Sequence, residues 1–274
     1  MALLALAKPA KLYRLLASAG LGVLVVLPLT ALQWPRVVLA LVGGIAAAAA
    51  GNALNMYFER DLDASCASTR SRPLVTGAVT PASALVFSAA LLTCASVLLL
   101  LAGIAVTIVT LLAVIVYAIV YTRLIKPVTP YHTILGGAVW GAPVLAIWAA
   151  SGKPFSPVPI LIFLLVACWT TLHTWSIALT ESSLRYPAAV PVLIRARGPA
   201  YVRAMLFVVV LALATITALL RQWPALCASV ALVAVAAIAY GARAAWSDRL
   251  LSRASLVYIG AFVIFTAARL MHKL

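Results

Sequence analysis

The chain has 274 residues, of which 66% are hydrophobic and 9% charged. Too little polar surface remains to face water, which excludes a soluble globular domain, and apolar runs of about 20 residues recurring from end to end favour membrane helices over the short alternating strands of a β-barrel. The net charge of +15 in such a chain records topology and attraction to anionic lipid, not nucleic-acid binding. Four cysteines, Cys66, Cys94, Cys168 and Cys227, show no C-x-x-C spacing and imply neither a disulfide framework nor a zinc site.

The pattern predicts an all-α integral membrane protein with nine spans, forming a single polytopic domain over residues 1–274. The first span runs from about Leu12 to Leu32 as an uncleaved helix behind Lys8, Lys11 and Arg14. The second runs from Val37 to about Met56 and leads into a polar loop. Residues Pro73 to Thr122 carry no charge, too long for one crossing. A split near Ala102-Gly103 gives a third span (Ala82–Leu101) and a fourth (Ile104–Leu124). The fifth covers about Thr133–Ala150 and the sixth Pro159–Leu179. The seventh (Val202–Leu220), eighth (Ala225–Ala245) and ninth (Ala254–Leu270) follow, with Ser247 to Arg253 read as the last connection.

Basic residues set the orientation. With the N-terminus in the cytoplasm, inner segments hold 15 Lys and Arg and outer segments 5. All five acids, Glu59, Asp61, Asp63, Glu181 and Asp248, then fall on the inner side. The polar inner loops, about 57–81, 123–132 and 181–200, mark the cytoplasmic face as the working one. The expected location is the cytoplasmic (inner) membrane, multi-pass.

Three of the five acids lie in the stretch Asn55-x-x-x-Glu59-Arg60-Asp61-x-Asp63. If the second helix continues beyond the membrane surface, Asn55, Glu59 and Asp63 fall at i, i+4 and i+8 on one face, and Asp61 points elsewhere. Two carboxylates with an amide suit Mg²⁺ shared with phosphate oxygens, because this ion keeps waters and is seldom held by an all-protein cage. Arg60, Arg70, Arg72, Arg123 and Lys126 flank this stretch and suit a multiply charged anion. Deep in the sixth span, Trp169, His173 and Trp175 place an imidazole in an apolar helix, either as a packing residue or as a ligand or proton-transfer group. Gly136, Gly137 and Gly141 most simply allow close helix packing, with room for a flat ligand as the alternative.

Together these residues resemble the UbiA-type intramembrane prenyltransferases, and among them the heme O synthases, over nearly the whole chain. The family pattern N-x-x-x-D-R-D-x-D is matched from Asn55 to Asp63, and R-T-x-x-R-P-L by Ser68-Thr69-Arg70-Ser71-Arg72-Pro73-Leu74. Y-T-x-x-L-K is matched by Tyr121-Thr122-Arg123-Leu124-Ile125-Lys126, and W-x-x-P-H-F-W at Trp169, His173 and Trp175. Ala188, Pro191 and Leu193, then Ser255 and Tyr258, complete the ordered matches.

The resemblance implies a UbiA-type bundle and Mg²⁺-dependent transfer of a farnesyl-type chain from prenyl diphosphate to heme. It implies catalytic roles for Asn55, Glu59, Asp63 and His173, the first three holding the metal. Arg60, Arg70, Arg72, Tyr121, Lys126, Trp175 and Arg185 would line the substrates. Partners would be the prenyl diphosphate, the heme-like acceptor and the lipid bilayer. The sequence departs from the pattern at Glu59, which replaces Asp, at Ser68, which replaces Arg, and at Ser183-Leu184-Arg185, which stands where D-D-Y is expected. That missing second acidic motif leaves two alternatives: the same chemistry on another aromatic or tetrapyrrole acceptor, or a non-catalytic relative serving as subunit of a complex with other membrane proteins.

Overall fold

A computed structural model describes residues 2–154, 156–180, 189–221, 223–242 and 244–271. The described residues form helices joined by turns, with no β-strand among them. The helices are α1 (Ala2–Leu6), α2 (Pro9–Val26), α3 (Gln33–Ala64), α4 (Pro81–Ala102), α5 (Ile104–Ile115), α6 (His132–Ser151), α7 (Pro157–Thr180), α8 (Leu193–Leu219), α9 (Trp223–Ala242) and α10 (Ala245–Met271). A π-helical segment, Val116–Ile125, continues α5. Among the described residues seven helices are long and apolar enough to cross a membrane, and Leu15–Val26 and Cys227–Ala242 are shorter apolar helices.

The helical form follows from the solvent. Backbone groups in hydrocarbon must be satisfied within their own segment, which a helix achieves. Hydroxyls inside the spans are absorbed the same way: Ser88, Thr107, Thr217, Ser229 and Thr266 each donate to the carbonyl four residues earlier. Large apolar side chains such as Val86, Leu101, Ile104 and Ile108 stand exposed on α4 and α5, a cost in water but not in lipid.

The chain divides into two compact units. Of the described residues, the first holds 2–128, 142–154 and 189–190; the second holds 129–141, 156–180, 191–221, 223–242 and 244–271. In the first unit α3 packs along α4 and also touches α1, α2, α5 and the π-helical segment. The interface is built from small residues. A Cβ on Gly43 would sit 2.9 Å from Leu99 Cγ, so the helices approach as close as glycine allows. Ala40, Ala47, Ala95, Leu99 and Val106 bury that seam. The break between α4 and α5 falls at Gly103, whose φ of 143° suits glycine, where the sequence predicts the split.

In the second unit α7 packs on α8 and α10, and α9 on the same pair. The opening turns of α6 lie against α7: a Cβ on Gly137 would meet Ala167 O at 2.5 Å, and one on Gly141 would meet Phe163 O at 2.7 Å. These two glycines do what their spacing predicts.

Four boundaries differ from expectation. Helix α2 ends at Val26, with Leu27 extended before Pro28, six residues short of the predicted Leu32. Helix α3 runs eight residues past Met56, to Ala64. At about 1.5 Å per residue its 32 residues exceed the roughly 30 Å of a hydrocarbon core, so its last turns can carry charge. Helix α8 starts at Leu193 with a kink at Gly198 (φ 78°), ahead of the span predicted from Val202. Helix α10 starts at Ala245, so Ser247 to Arg253 are helical and not a connection. The reason is an ion pair: Arg203 of α8 donates from Nε and a terminal nitrogen to the two oxygens of Asp248, at 2.9 and 2.6 Å. Asp248 is 1% exposed. A bidentate fork lets the carboxylate be buried inside a helix, where charge alone suggests a loop.

Candidate functional site

The candidate site is built on the last turns of α3. Asn55, Glu59 and Asp63 are all buried, at 4 to 5% exposure, on one face of the helix. Asp61, out of register, has a side chain that is 89% exposed. The helix therefore sorts its acids by register alone, and the two that match the amide's phase are the ones turned inward.

Each of the three buried groups carries its own cation. The Lys126 ammonium, just beyond the π-helical segment, donates to Glu59 Oε1. The Arg72 guanidinium donates to Asp63 Oδ2 and lies 4.0 Å from Glu59. The Lys8 ammonium donates to Asn55 Oδ1. Two carboxylates thus face three cations, all of them mostly removed from water.

Local structure explains how three distant residues arrive together. After α3 the chain closes into turns: Thr69 Oγ1 donates to Asp63 O at 2.9 Å, and the amide of Arg70 to Cys66 O at 2.9 Å. These turns fold Arg72 back on the helix that precedes it. Leu74 and Val79 then enter a small core with Leu6, Ala53, Met56 and Ala84. Leu6 belongs to α1, so the same core anchors the turn that bears Lys8. Asn52 Nδ2 donates to Ala7 O at 2.9 Å, and Lys8 itself adopts a left-handed backbone (φ 51°) that turns it towards α3.

The third arm comes from the π-helical segment. Thr122 Oγ1 donates to Tyr117 O, five residues back, at 2.8 Å, and Lys126 N donates to Tyr121 O at 2.8 Å. This spacing is that of a π-helix, a form that recurs at functional sites because it shifts the residues that follow. The Thr122 hydroxyl spends its one proton on Tyr117 and so accepts from Asn55 Nδ2 at 3.0 Å. That fixes the amide: its nitrogen faces Thr122 and its oxygen faces Lys8. Tyr117 in turn stacks on Tyr121, with centroids 6.0 Å apart, and donates its hydroxyl to Asn52 Oδ1 at 3.3 Å.

The remaining expected residues lie elsewhere. Arg60 rests over the Tyr57 ring, 5.0 Å from its centroid, and pairs with exposed Asp61 at 3.7 Å. Arg70 is exposed. Arg123 sits over the Phe58 ring at 5.5 Å. His173 and Trp175 belong to the second unit. His173 Nδ1 lies 3.1 Å from Ser255 Oγ, and the buried indole N–H of Trp175 has no hydrogen-bond partner among the described residues. Arg185, with Glu181, Ser183 and Leu184, lies outside the described residues.

The model of the UbiA prenyltransferase family matches residues 15–266. The chain belongs to the UbiA prenyltransferase family. Among UbiA relatives, a protein named protoheme IX farnesyltransferase from Verminephrobacter eiseniae is 31% identical over 98% of this chain and 93% of its own length. Proteins of the same name from Azoarcus sp. and Symbiobacterium thermophilum are 36% and 35% identical, over 67% and 59% of this chain and 62% and 54% of theirs. The fold is shared with solved UbiA structures. A UbiA homologue from Archaeoglobus fulgidus bound to GPP and Mg²⁺ superposes with TM-score 0.68 at 17% identity, covering 98% of this chain and 100% of that one. A structure of digeranylgeranylglyceryl phosphate synthase gives TM-score 0.77 at 16% identity, covering 93% and 94%.

Within this UbiA chain, Lys8, Asn52, Tyr117 and Thr122 are site residues that sequence reasoning did not single out. Lys8 reads as one more positive charge on the inner side of a first span. Its distinguishing signal is position, at the break before Pro9 and the apolar run.

Proposed function

We propose that this chain is an intramembrane prenyltransferase that transfers a farnesyl-type group from its diphosphate to a heme-like acceptor. The observation that carries the proposal is the row of Asn55, Glu59 and Asp63 on one buried helix face, each engaged by a cation from a different part of the chain. A structural ion pair needs one cation per acid. Among the described residues, three cations gather at two carboxylates and an amide, an arrangement suited to a polyanion. The names of the relatives support the farnesyl and heme assignment.

The donor set also fits Mg²⁺. Asn55, Glu59 and Asp63 offer hard oxygen donors on one face, and two carboxylates are what this ion takes when phosphate oxygens and water complete its shell. When bound, the metal supplies charge neutralisation at the diphosphate. The chain's own part is separate. Arg72, Lys126 and Lys8 can turn from their present acceptors to the phosphate oxygens and stabilise the departing diphosphate. Arg60, Arg70, Tyr121 and Arg185 are proposed at the periphery of the same substrate. His173 and Trp175 serve the acceptor, Trp175 through its indole N–H.

The proposed topology has nine crossings, with the two shorter apolar helices added to the seven long ones, in one polytopic domain. The N-terminus lies in the cytoplasm and the protein in the inner membrane. The test is incubation of purified protein with labelled farnesyl diphosphate, Mg²⁺ and heme, followed by mass detection of farnesylated heme. Product is expected, and Asp63→Asn is expected to abolish it. Product only with another tetrapyrrole or aromatic acceptor would redirect the acceptor assignment. Ser183-Leu184-Arg185 in place of acids favours a second reading, a non-catalytic subunit. Stable co-purification with other membrane proteins and no product with any acceptor would support it.

A further inference from the structure

Tyr131, just before α6, and Tyr201, on α8, meet through their hydroxyls at 2.8 Å. Both belong to the second unit and both are half-buried. The amide of Tyr131 donates to Thr129 Oγ1 at 3.3 Å, which holds the turn that bears it. Arg197 lies over the Tyr201 ring, with Cζ 5.9 Å from the centroid, and the kink at Gly198 falls between the two. Two hydroxyls bonded to each other use one proton and leave the second unspent, whichever of them donates. Among the described residues of this unit the one acid is Asp248, and the Arg203 fork takes it up. The charge of Arg197 is therefore left without a carboxylate from these residues. Depth follows from helix register. Gly137 packs against Ala167 and Gly141 against Phe163, so α6 and α7 run antiparallel, and Tyr131 comes level with the turn of α7 that carries His173 and Trp175.

We propose that Tyr131, Tyr201 and Arg197 form a carboxylate site that docks a propionate of the tetrapyrrole acceptor. The inference rests on the heme-acceptor reading above. Protoheme is apolar over its faces and its vinyl edge, but its propionates are ionised at neutral pH, and a bare carboxylate is costly to take into an apolar segment. An acceptor site within a helical unit therefore needs donors at its rim. The unspent hydroxyl proton and the exposed guanidinium supply them. One carboxylate oxygen accepts from the tyrosine and the other from Arg197, both as charge-assisted bonds of about 2.5–2.9 Å. The hydroxyl that donates onward is strengthened by the bond it accepts, because linked hydrogen bonds polarise one another. The general excess of positive charge on inner segments accounts for Arg197 alone. It does not account for two tyrosine hydroxyls turned to each other beside it with a proton left over. Docking forms and breaks no covalent bond. It would hold the carboxylate edge of the porphyrin at the rim and leave the opposite, vinyl-bearing edge to the apolar interior, where the prenyl group must meet it.

The test compares ferric protoheme with its dimethyl ester, in which both propionates are neutral, each titrated into the purified full-length protein in zwitterionic detergent. Wild type is expected to bind protoheme about tenfold or more tightly than the ester. Arg197→Gln and Tyr201→Phe are each expected to weaken protoheme binding about tenfold while leaving the ester's affinity unchanged. The unchanged ester guards against a folding artefact, since a distorted protein would lose both ligands together. Equal affinity of wild type for the two porphyrins, or a parallel loss of both in the two variants, overturns the proposal. Loss of the preference on adding anionic phospholipid assigns the cluster to lipid headgroups and overturns it as well. Farnesyl transfer is followed in parallel. Product formed from protoheme and ester with the same KM overturns the carboxylate site and leaves the transferase reading standing. The preference for protoheme without product supports the site and counts against the transferase reading. Binding of neither porphyrin overturns both.

Discussion

Asp63 and Arg72 show at the residue scale how the site holds its charges. Both are mostly buried, and each is the other's principal partner. Removing one leaves the other charge uncompensated, which for buried pairs costs about 3–5 kcal/mol, whereas replacing both with apolar groups of similar size costs far less. Arg72→Met alone is therefore expected to lower thermal stability in detergent more than Arg72→Met combined with Asp63→Leu, although both abolish transfer. Lys8 separates differently. Its ammonium donates to the neutral amide oxygen of Asn55. Lys8→Met is expected to raise KM for the prenyl diphosphate about tenfold, the loss of one charge-assisted contact to phosphate, in the protein that remains folded. Steady-state kinetics beside a thermal scan distinguishes this from a structural role.

Two elements carry predictions of their own. The π-helical segment Val116–Ile125 brings Lys126 to Glu59 and Thr122 to Asn55. Thr122→Val keeps the shape but removes the acceptor of a buried amide N–H, a loss of about 1–3 kcal/mol. A lower unfolding temperature and a reduced kcat are expected together, because the Asn55 amide then loses the contact that fixes its orientation. In the second unit, the contact of α6 with α7 depends on Gly137. An added methyl would meet a backbone oxygen that cannot move aside, so Gly137→Ala is expected to cost about 1–3 kcal/mol by overpacking. Gly260, where an added Cβ would have nothing within 4 Å, is the control: Gly260→Ala is expected to be neutral or slightly stabilising in the same thermal measurement.

For the whole molecule, the Arg203–Asp248 fork ties α8 to α10 within the second unit and serves no candidate site. Asp248→Asn is expected to destabilise by about 3–5 kcal/mol while leaving KM for both substrates unchanged in the protein that remains folded. The proposed topology is checked by single cysteines in a cysteine-free background. A membrane-impermeant thiol reagent is expected to label Gly152→Cys from outside intact cells and Ser65→Cys only after permeabilisation. Labelling of Ser65→Cys in intact cells would invert the assignment.

The sequence by itself determined the class of the molecule. Hydropathy marks helices because hydrocarbon leaves the backbone no other way to satisfy its groups, and Gly103 marks the break that an unbroken apolar run conceals. It also determined which acids share a face, since the phase of Asn55, Glu59 and Asp63 follows from helix geometry once the helix persists. It did not show where charged segments stay helical. Ser247 to Arg253 read as a loop because a lone buried carboxylate is costly, and only the tertiary structure supplies Arg203 to offset that cost. It did not show Lys8 either. On a linear chain Lys8 is 47 residues from Asn55 and no different from other inner lysines. Only the shared core of Leu6, Met56 and Leu74, with the left-handed turn at Lys8, decides that this one cation points into the site.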